Sequence, residues 1–235
     1  NYYDVLIVGC GVAGLCCALN LSENMRVLVL TKSAAFDESD SFLAQGGICM
    51  LRGEEDFNAY FEDTLRAGHY ENDETAVRLM IESSPAMIEE LVQDGVEFAR
   101  DEKGNFRFTR EGGHSKPRIL FHDDVTGKEI TSKLLTLALT KGNIKFRENA
   151  ELVDLICRKG RAGECFGGIV RDTVSGELED IYADFTLLAT VKRRSSYIQV
   201  TLLDEFGHVA VEKRHQQCVD VGTIDIGIGH DDYFV

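Results

Sequence analysis

Residues 4–30 read DVLIVGCGVAGLCCALNLSENMRVLVL, and this stretch decides the fold. Asp4 to Val8 is a short apolar, largely β-branched run of the kind that forms a buried strand. Gly9-Cys10-Gly11-Val12-Ala13-Gly14 follows as G-x-G-x-x-G, and Leu15 to Leu21 reads as a helix. Arg26 to Leu30 is a second buried strand. Strand, glycine loop, helix and parallel strand, joined by a right-handed crossover, make the first unit of a dinucleotide-binding sheet. The spacing has a chemical reason. Gly9 permits the tight turn, Gly11 lets the main chain approach a pyrophosphate, and Gly14 lets the helix pack on the strand. The helix N-terminus then faces the phosphates. The motif alone is weak; its strand–loop–helix–strand setting gives it weight.

The second half of that fingerprint is an Asp or Glu at the end of the second strand, bonded to a ribose. Here the strand runs into Thr31-Lys32-Ser33, and the next acid is Asp37. The standard ribose contact is absent. Lys32 and Thr31 either serve the adenosine side of a ligand in another way or leave Lys32 as an ordinary solvated lysine.

Beyond the loop-like stretch from Phe36 to Leu51, two amphipathic helices are predicted over Glu54 to Gly68 and Asp73 to Asp94, with Pro85 marking a kink in the second. A Gly- and charge-rich connector from Asp101 to Arg118 leads to a helix from Gly127 to Leu139. Strands follow at Ile144 to Arg147, Leu152 to Cys157, Gly168 to Asp172 and Asp180 to Leu188, with turns at Lys159-Gly160 and Ser175-Gly176. The expected architecture is α/β: a parallel sheet carrying a small antiparallel β meander.

Composition narrows the function classes. Among 235 residues, 25 Lys and Arg stand against 40 Asp and Glu, a formal net charge of −15. Nucleic acid is an improbable partner for such a chain, because binding it needs a basic face. A small anionic ligand remains compatible, since helix N-termini bind anions inside acidic proteins. No apolar run spans a bilayer and no leader is evident, so a soluble, cytoplasmic protein with no membrane partner is expected. Seven cysteines with no C-x-x-C pair fit neither a disulfide framework nor a zinc ribbon.

Two further segments carry chemistry. Asp40-Ser41-Phe42-Leu43-Ala44-Gln45-Gly46-Gly47 has small residues and a glycine pair that let main-chain amides lie against a ligand, with Ser41 and Gln45 as polar donors. Thr109-Arg110-Glu111-Gly112-Gly113-His114-Ser115 places a Glu between an Arg and a glycine pair, with Arg118-Ile119-Leu120 just beyond.

With these in place the chain resembles the L-aspartate oxidases, FAD enzymes of the succinate dehydrogenase and fumarate reductase flavoprotein superfamily. The resemblance rests on GCGVAG, the Thr-Lys pair after the second strand, SFLAQGGI, EDTLRAG, TREGGHS with RIL, TGKEI and DFTLLAT, in family order from Tyr3 to Thr190. It implies an FAD-binding domain over residues 1–190 and oxidation of L-aspartate to iminoaspartate by hydride transfer from Cα to the flavin. Oxygen or fumarate would be the acceptor. It implies that Cys10 to Ala13 meet the pyrophosphate and that Lys32 lies at the adenosine end. Asp40 to Gly47 would wrap the flavin, and the neighbourhood of Leu152 would offer adenine a main-chain contact. Glu111 matches the carboxylate that faces the substrate ammonium, and a pairing with Arg110 would keep it charged; its plainer reading is a loop ion pair. Asp40-Ser41 stand where the respiratory relatives carry a flavin-linking His, so FAD is expected to be non-covalent.

The resemblance stops after Ala189-Thr190, where the family has an Ala-Thr-Gly-Gly turn and this chain has Val191-Lys192-Arg193-Arg194. Residues 191–235 match neither the capping domain nor the segments that bear its substrate-binding histidines and catalytic arginine. A frameshift or a junction is the expected origin of this tail, and the chain alone is expected to be inactive. Within it, strands are expected at Tyr197 to Leu203 and Val209 to Val211, with a further apolar patch at Ile224 to Ile228. His208, His215, Cys218, His230, Asp231 and Asp232 fit no common metal site. The competing readings are a non-catalytic FAD-binding protein and a fumarate-reducing flavoprotein.

Overall fold

The computed structural model describes residues 1–33, 39–157 and 164–190 in full, with the backbone of 201–203 and 209–211. In chain order the elements are β1 (Tyr2–Val8), α1 (Val12–Asn20), β2 (Val27–Leu30), α2 (Asp40–Leu43) and β3 (Ile48–Cys49). Then come α3 (Phe57–Ala67), α4 (Glu74–Gln93), β4 (Ile119–Leu120), α5 (Thr126–Thr140), β5 (Ile144–Arg147) and β6 (Ala150–Cys157). The last are β7 (Cys165–Asp172), β8 (Leu178–Leu188), β9 (Thr201–Leu203) and β10 (Val209–Val211). The described residues fall into two compact units, one containing residues 1–33 with 134–157 and 164–190, the other residues 40–133.

The first unit is built on a six-stranded sheet of order β5-β2-β1-β8-β7-β6. β1 pairs in parallel with β2 and β8, and β2 with β5, while β6, β7 and β8 form an antiparallel meander. Strands covered on both faces have no polar side to show, which is why VLIV in β1 and VLVL in β2 are buried throughout. β8 alternates instead: Ile181 and Ala183 are buried while Tyr182 is exposed. Leu6, Val8, Leu28 and Leu30 share one core with Ala150, Val170, Ile181 and Ala183 of the meander. The α/β architecture expected from the sequence is therefore the one observed.

The second unit has its own core, in which Tyr60 and Leu65 of α3 pack with Val77 and Ile81 of α4, Cys49 and Ile119. Asp73 caps α4 by accepting from the amides of Thr75 and Ala76. α4 continues as helix through Pro85. The Ile81 carbonyl, deprived of an amide partner by Pro85, accepts instead from Ser84 Oγ at 2.7 Å. That hydroxyl in turn accepts from the Leu51 amide.

The stretch expected as loop contains, in its described part, α2 and the short β3, which pairs antiparallel with β4. Two-residue strands that pair across seventy positions leave no periodicity to read. β9 and β10 pair antiparallel, in agreement with the tail strands expected there. The rest of the tail, including Tyr197 to Val200, Ile224 to Ile228 and the His, Cys and Asp residues weighed for metal, lies outside the described residues. So do Asp37 and the Lys159-Gly160 turn. No helix among the described residues is long and apolar enough to cross a membrane.

Candidate functional site

The glycine loop joins β1 to α1 inside the first unit, and its tightness is measurable. Gly9 has φ +112°, and a Cβ there would lie 2.3 Å from the Ala189 carbonyl oxygen at the end of β8. A Cβ on Gly14 would lie 2.0 Å from the Gly9 carbonyl oxygen, so only glycine lets α1 start this close to the strand. The loop is held from outside by the Gly9 amide bond to the Leu30 carbonyl, 2.9 Å. Gly11 is the N-cap of α1 and provides no side-chain cap, and no acid occupies the first turn. A helix start with neither a side-chain cap nor a nearby carboxylate suits an anion. Cys10 and Val12 are buried in support of the loop, and Ala13 is exposed at its surface.

β2 ends at Thr31, which is buried, and Lys32, which is exposed. An acid does reach the end of β2, from β6, where it pairs with Lys32. The Ala150 amide bonds the Thr31 carbonyl at 2.9 Å, and the next residue, Glu151, meets Lys32 Nζ at 2.8 Å. Lys32 and then Arg171 hold the Glu151 carboxyl below its ordinary range. The neighbouring Leu152 turns inward onto the core, as alternation along a strand requires.

In the second unit the Asp40 to Gly47 segment is fixed by the start of α5. The Gly127 amide donates to the Ala44 carbonyl at 2.9 Å, and Thr126 Oγ1 donates to the Gly46 carbonyl at 2.6 Å. A Cβ on Gly127 would lie 2.1 Å from the Ser41 carbonyl oxygen, which explains the glycine of the TGKEI motif. Gly47 has a packing reason too, since a Cβ there would lie 2.3 Å from both Ile119 Cγ2 and the Leu120 oxygen. Ala44 is buried, Ser41, Phe42 and Gly46 are half-buried, and Asp40, Leu43 and Gln45 are exposed.

Glu111 sits on a loop that is held at both ends. Thr109 and Ile119 exchange main-chain hydrogen bonds at its base, and the His114 amide bonds the Glu111 carbonyl across a turn in which Gly112 has φ +53°. Below the turn lies a charged network. Arg118, entirely buried, donates to Asp56 through Nε (3.1 Å) and Nη2 (2.9 Å), and to Asp63 through Nη1 (2.7 Å). Asp63 also accepts from the Ser115 amide (2.7 Å), Ser115 Oγ (2.6 Å) and Arg66 (2.7 Å), while Arg66 reaches the Gly113 carbonyl (3.0 Å). Burial alone would raise the Asp63 carboxyl; the Ser115 and Arg118 donors overcome it and bring it down to about 2. Asp56 is likewise lowered, against burial, by Arg118 and Lys116. Arg118 can only donate, so His114 accepts through Nδ1 (3.1 Å) and carries its proton on Nε2, facing Cys49 Sγ at 3.3 Å.

One expectation is overturned here. Among the described residues Arg110 and Glu111 form no ion pair: Arg110 is exposed while Glu111 is half-buried. Among the described residues no ion pair or side-chain hydrogen bond engages the Glu111 carboxylate, which is half-buried. The loop's rigidity comes from other charges, so the plainer reading of Glu111 as a loop ion pair fails. Asp56, Asp63 and Arg118 had no assigned role in the sequence. The sign was available: Asp56, Tyr60 and Asp63 are spaced i, i+4, i+7, which puts two carboxylates on the buried face of a helix, where they need a partner.

Four matches with known proteins accord with this geometry. A family model described as FAD binding domain covers residues 4–216. The L-aspartate oxidase of Clostridium perfringens is 43% identical over 187 residues, which are 80% of this chain and 41% of that protein. The chain thus spans about two fifths of that relative's length. Among solved structures, Mycobacterium smegmatis Sdh1 superposes with a TM-score of 0.73 at 26% identity, covering 81% of this chain and 34% of that one. The E. coli quinol fumarate reductase FrdA gives a TM-score of 0.74 at 24% identity, covering 81% and 32%, and shows the shared fold. With FAD as its cofactor and L-aspartate oxidases among its relatives, the chain belongs to the FAD-binding domain family.

Proposed function

We propose that this chain holds FAD non-covalently for the oxidation of L-aspartate to iminoaspartate, with oxygen or fumarate as electron acceptor. The observation that carries the substrate assignment is the Glu111 carboxylate: unpaired among the described residues, on a loop clamped by Asp63, Arg66 and Arg118. A fixed, uncompensated negative charge suits the ammonium group that separates aspartate from succinate or fumarate, and its position costs no reordering on binding. FAD, when bound, supplies the two-electron acceptance that no protein side chain offers.

The chain's own residues divide the remaining work. Gly9 to Gly14 give the pyrophosphate a main-chain cradle with no side chain in the way. Lys32, steadied by Glu151, supports the adenosine end. Asp40, Ser41, Phe42, Leu43, Ala44, Gln45, Gly46 and Gly47 line the flavin, held in shape by Thr126 and Gly127. Glu111 orients the substrate. The 187 residues matched to the Clostridium relative span 41% of it, and by itself we expect this chain to bind FAD without sustained turnover.

The test uses the purified chain. Flavin should remain bound through gel filtration and be released intact by acid, and L-aspartate should perturb its absorbance more than succinate does. Flavin that stays attached after denaturation would overturn the non-covalent assignment. Equal perturbation by the two dicarboxylates would overturn the role of Glu111. Steady peroxide release with aspartate would show that the chain is catalytically sufficient.

A further inference from the structure

We propose that Cys157 and Cys165 are a peroxide-oxidisable thiol pair that closes as an intramolecular disulfide across the β6–β7 hairpin. The two residues are direct partners in the antiparallel register and form its last pair, Cys157 ending β6 and Cys165 opening β7. Residues directly opposite on such strands have Cβ atoms about 4.5–5.5 Å apart, and a disulfide needs about 3.5–4.5 Å. Closing the bond therefore takes a movement of about an ångström. The register is already irregular between Leu155 and Cys157, so this end of the pairing departs from a regular ladder. No other two cysteines among the described residues are register partners.

The surroundings favour an ordered reaction. Cys157 is exposed and Cys165 half-buried, whereas Cys10 and Cys49 are buried. Cys165 Sγ donates to the Gly167 carbonyl at 3.4 Å, which leaves its sulfur as acceptor toward Cys157. Burial, followed by the neighbouring Cys165, raises the Cys157 thiol above its ordinary range. At neutral pH Cys157 is thus mostly protonated and slow to react, and it quickens as pH rises.

The chemistry balances. The Cys157 thiolate attacks one oxygen of hydrogen peroxide; the O–O bond breaks, leaving a sulfenic acid and a hydroxide that takes the thiol proton as water. The Cys165 thiolate then attacks that sulfur, the S–S bond forms, and the second oxygen leaves as water. Two thiols lose two electrons and two protons, and peroxide becomes two waters. This pair does not depend on the aspartate reading. Where that reading holds, oxygen reduction generates the same oxidant on the same protein.

The experiment treats the reduced full-length chain with hydrogen peroxide at pH 7 and pH 8.5, followed by alkylation, digestion and peptide mass analysis. A peptide pair joined through Cys157 and Cys165, two hydrogens lighter than its reduced form, should appear in monomeric protein and vanish with dithiothreitol. Its formation should be about 30-fold faster at pH 8.5, because the thiolate fraction rises tenfold per unit below the raised pKa. In Cys165→Ser the first step survives, so a sulfenic acid at Cys157 should be trapped by dimedone. Cys157→Ser should give no cross-link. Recovery of both thiols unmodified while other cysteines oxidise would overturn the proposal. So would a Cys157 bond to a second molecule, or over-oxidation of Cys157 without a cross-link.

Discussion

Replacing Asp63 with Asn removes the charge at the centre of the clamp under the Glu111 loop. Its carboxyl is held at about 2 in the folded protein, nearly two units below the value expected in an unfolded chain. At about 1.4 kcal/mol per unit, that difference is worth about 2–3 kcal/mol of stability at neutral pH. Loss of a sole partner from a buried ion costs about 3–5 kcal/mol. Arg118 keeps two bonds to Asp56, so the smaller figure applies. The sign follows from linkage. A folded-state pKa below the unfolded one gives stability that is complete above about pH 4 and disappears as pH falls through about 2. Urea unfolding of wild type and Asp63→Asn at pH 7 should therefore differ by about 2–3 kcal/mol, and the gap should shrink by roughly half at pH 3. A difference below about 0.5 kcal/mol at pH 7, or one of equal size at both pH values, would refute the reasoning.

Three other substitutions separate the parts of the site. Gly14→Ala puts a Cβ against the Gly9 carbonyl oxygen, so α1 must back away from the loop; flavin retained after desalting should fall at least about tenfold. Lys32→Ala should weaken FAD about fivefold while leaving FMN, which lacks the adenosine, unchanged in a fluorescence titration. Equal weakening of both flavins would place Lys32 elsewhere. Glu111→Gln should raise the dissociation constant of L-aspartate on the FAD-loaded protein about tenfold, the worth of one charge-assisted hydrogen bond, and that of succinate less than twofold. A mutant that loses both ligands alike would mark the loop as structural.

The nucleotide half of the fold was legible along the chain because its causes are local. G-x-G-x-x-G followed by an apolar helix and strand needs no distant residue to be recognised, and the all-apolar β1 and β2 announce a sheet buried on both faces. Lys32 was visible as the residue standing where the acid was expected, but its partner was not. Glu151 lies over a hundred positions away, and only the crossing of β6 past the end of β2 delivers it. The same holds for the motifs EDTLRAG, TREGGHS and RIL. Read in sequence they are three separate patterns; folded, they put Ser115 and Arg118 each within 3 Å of Asp63. Periodicity reports which side of a helix is buried and says nothing about which remote cation a buried carboxylate meets. Local sequence therefore determined the glycine loop and the strands and helix on either side of it. Tertiary structure alone decided that, among the described residues, Glu111 meets no cation while Arg118 is bonded to both Asp56 and Asp63, because charge compensation depends on distance in space, and the chain brings those groups together only when α3 packs beneath the loop.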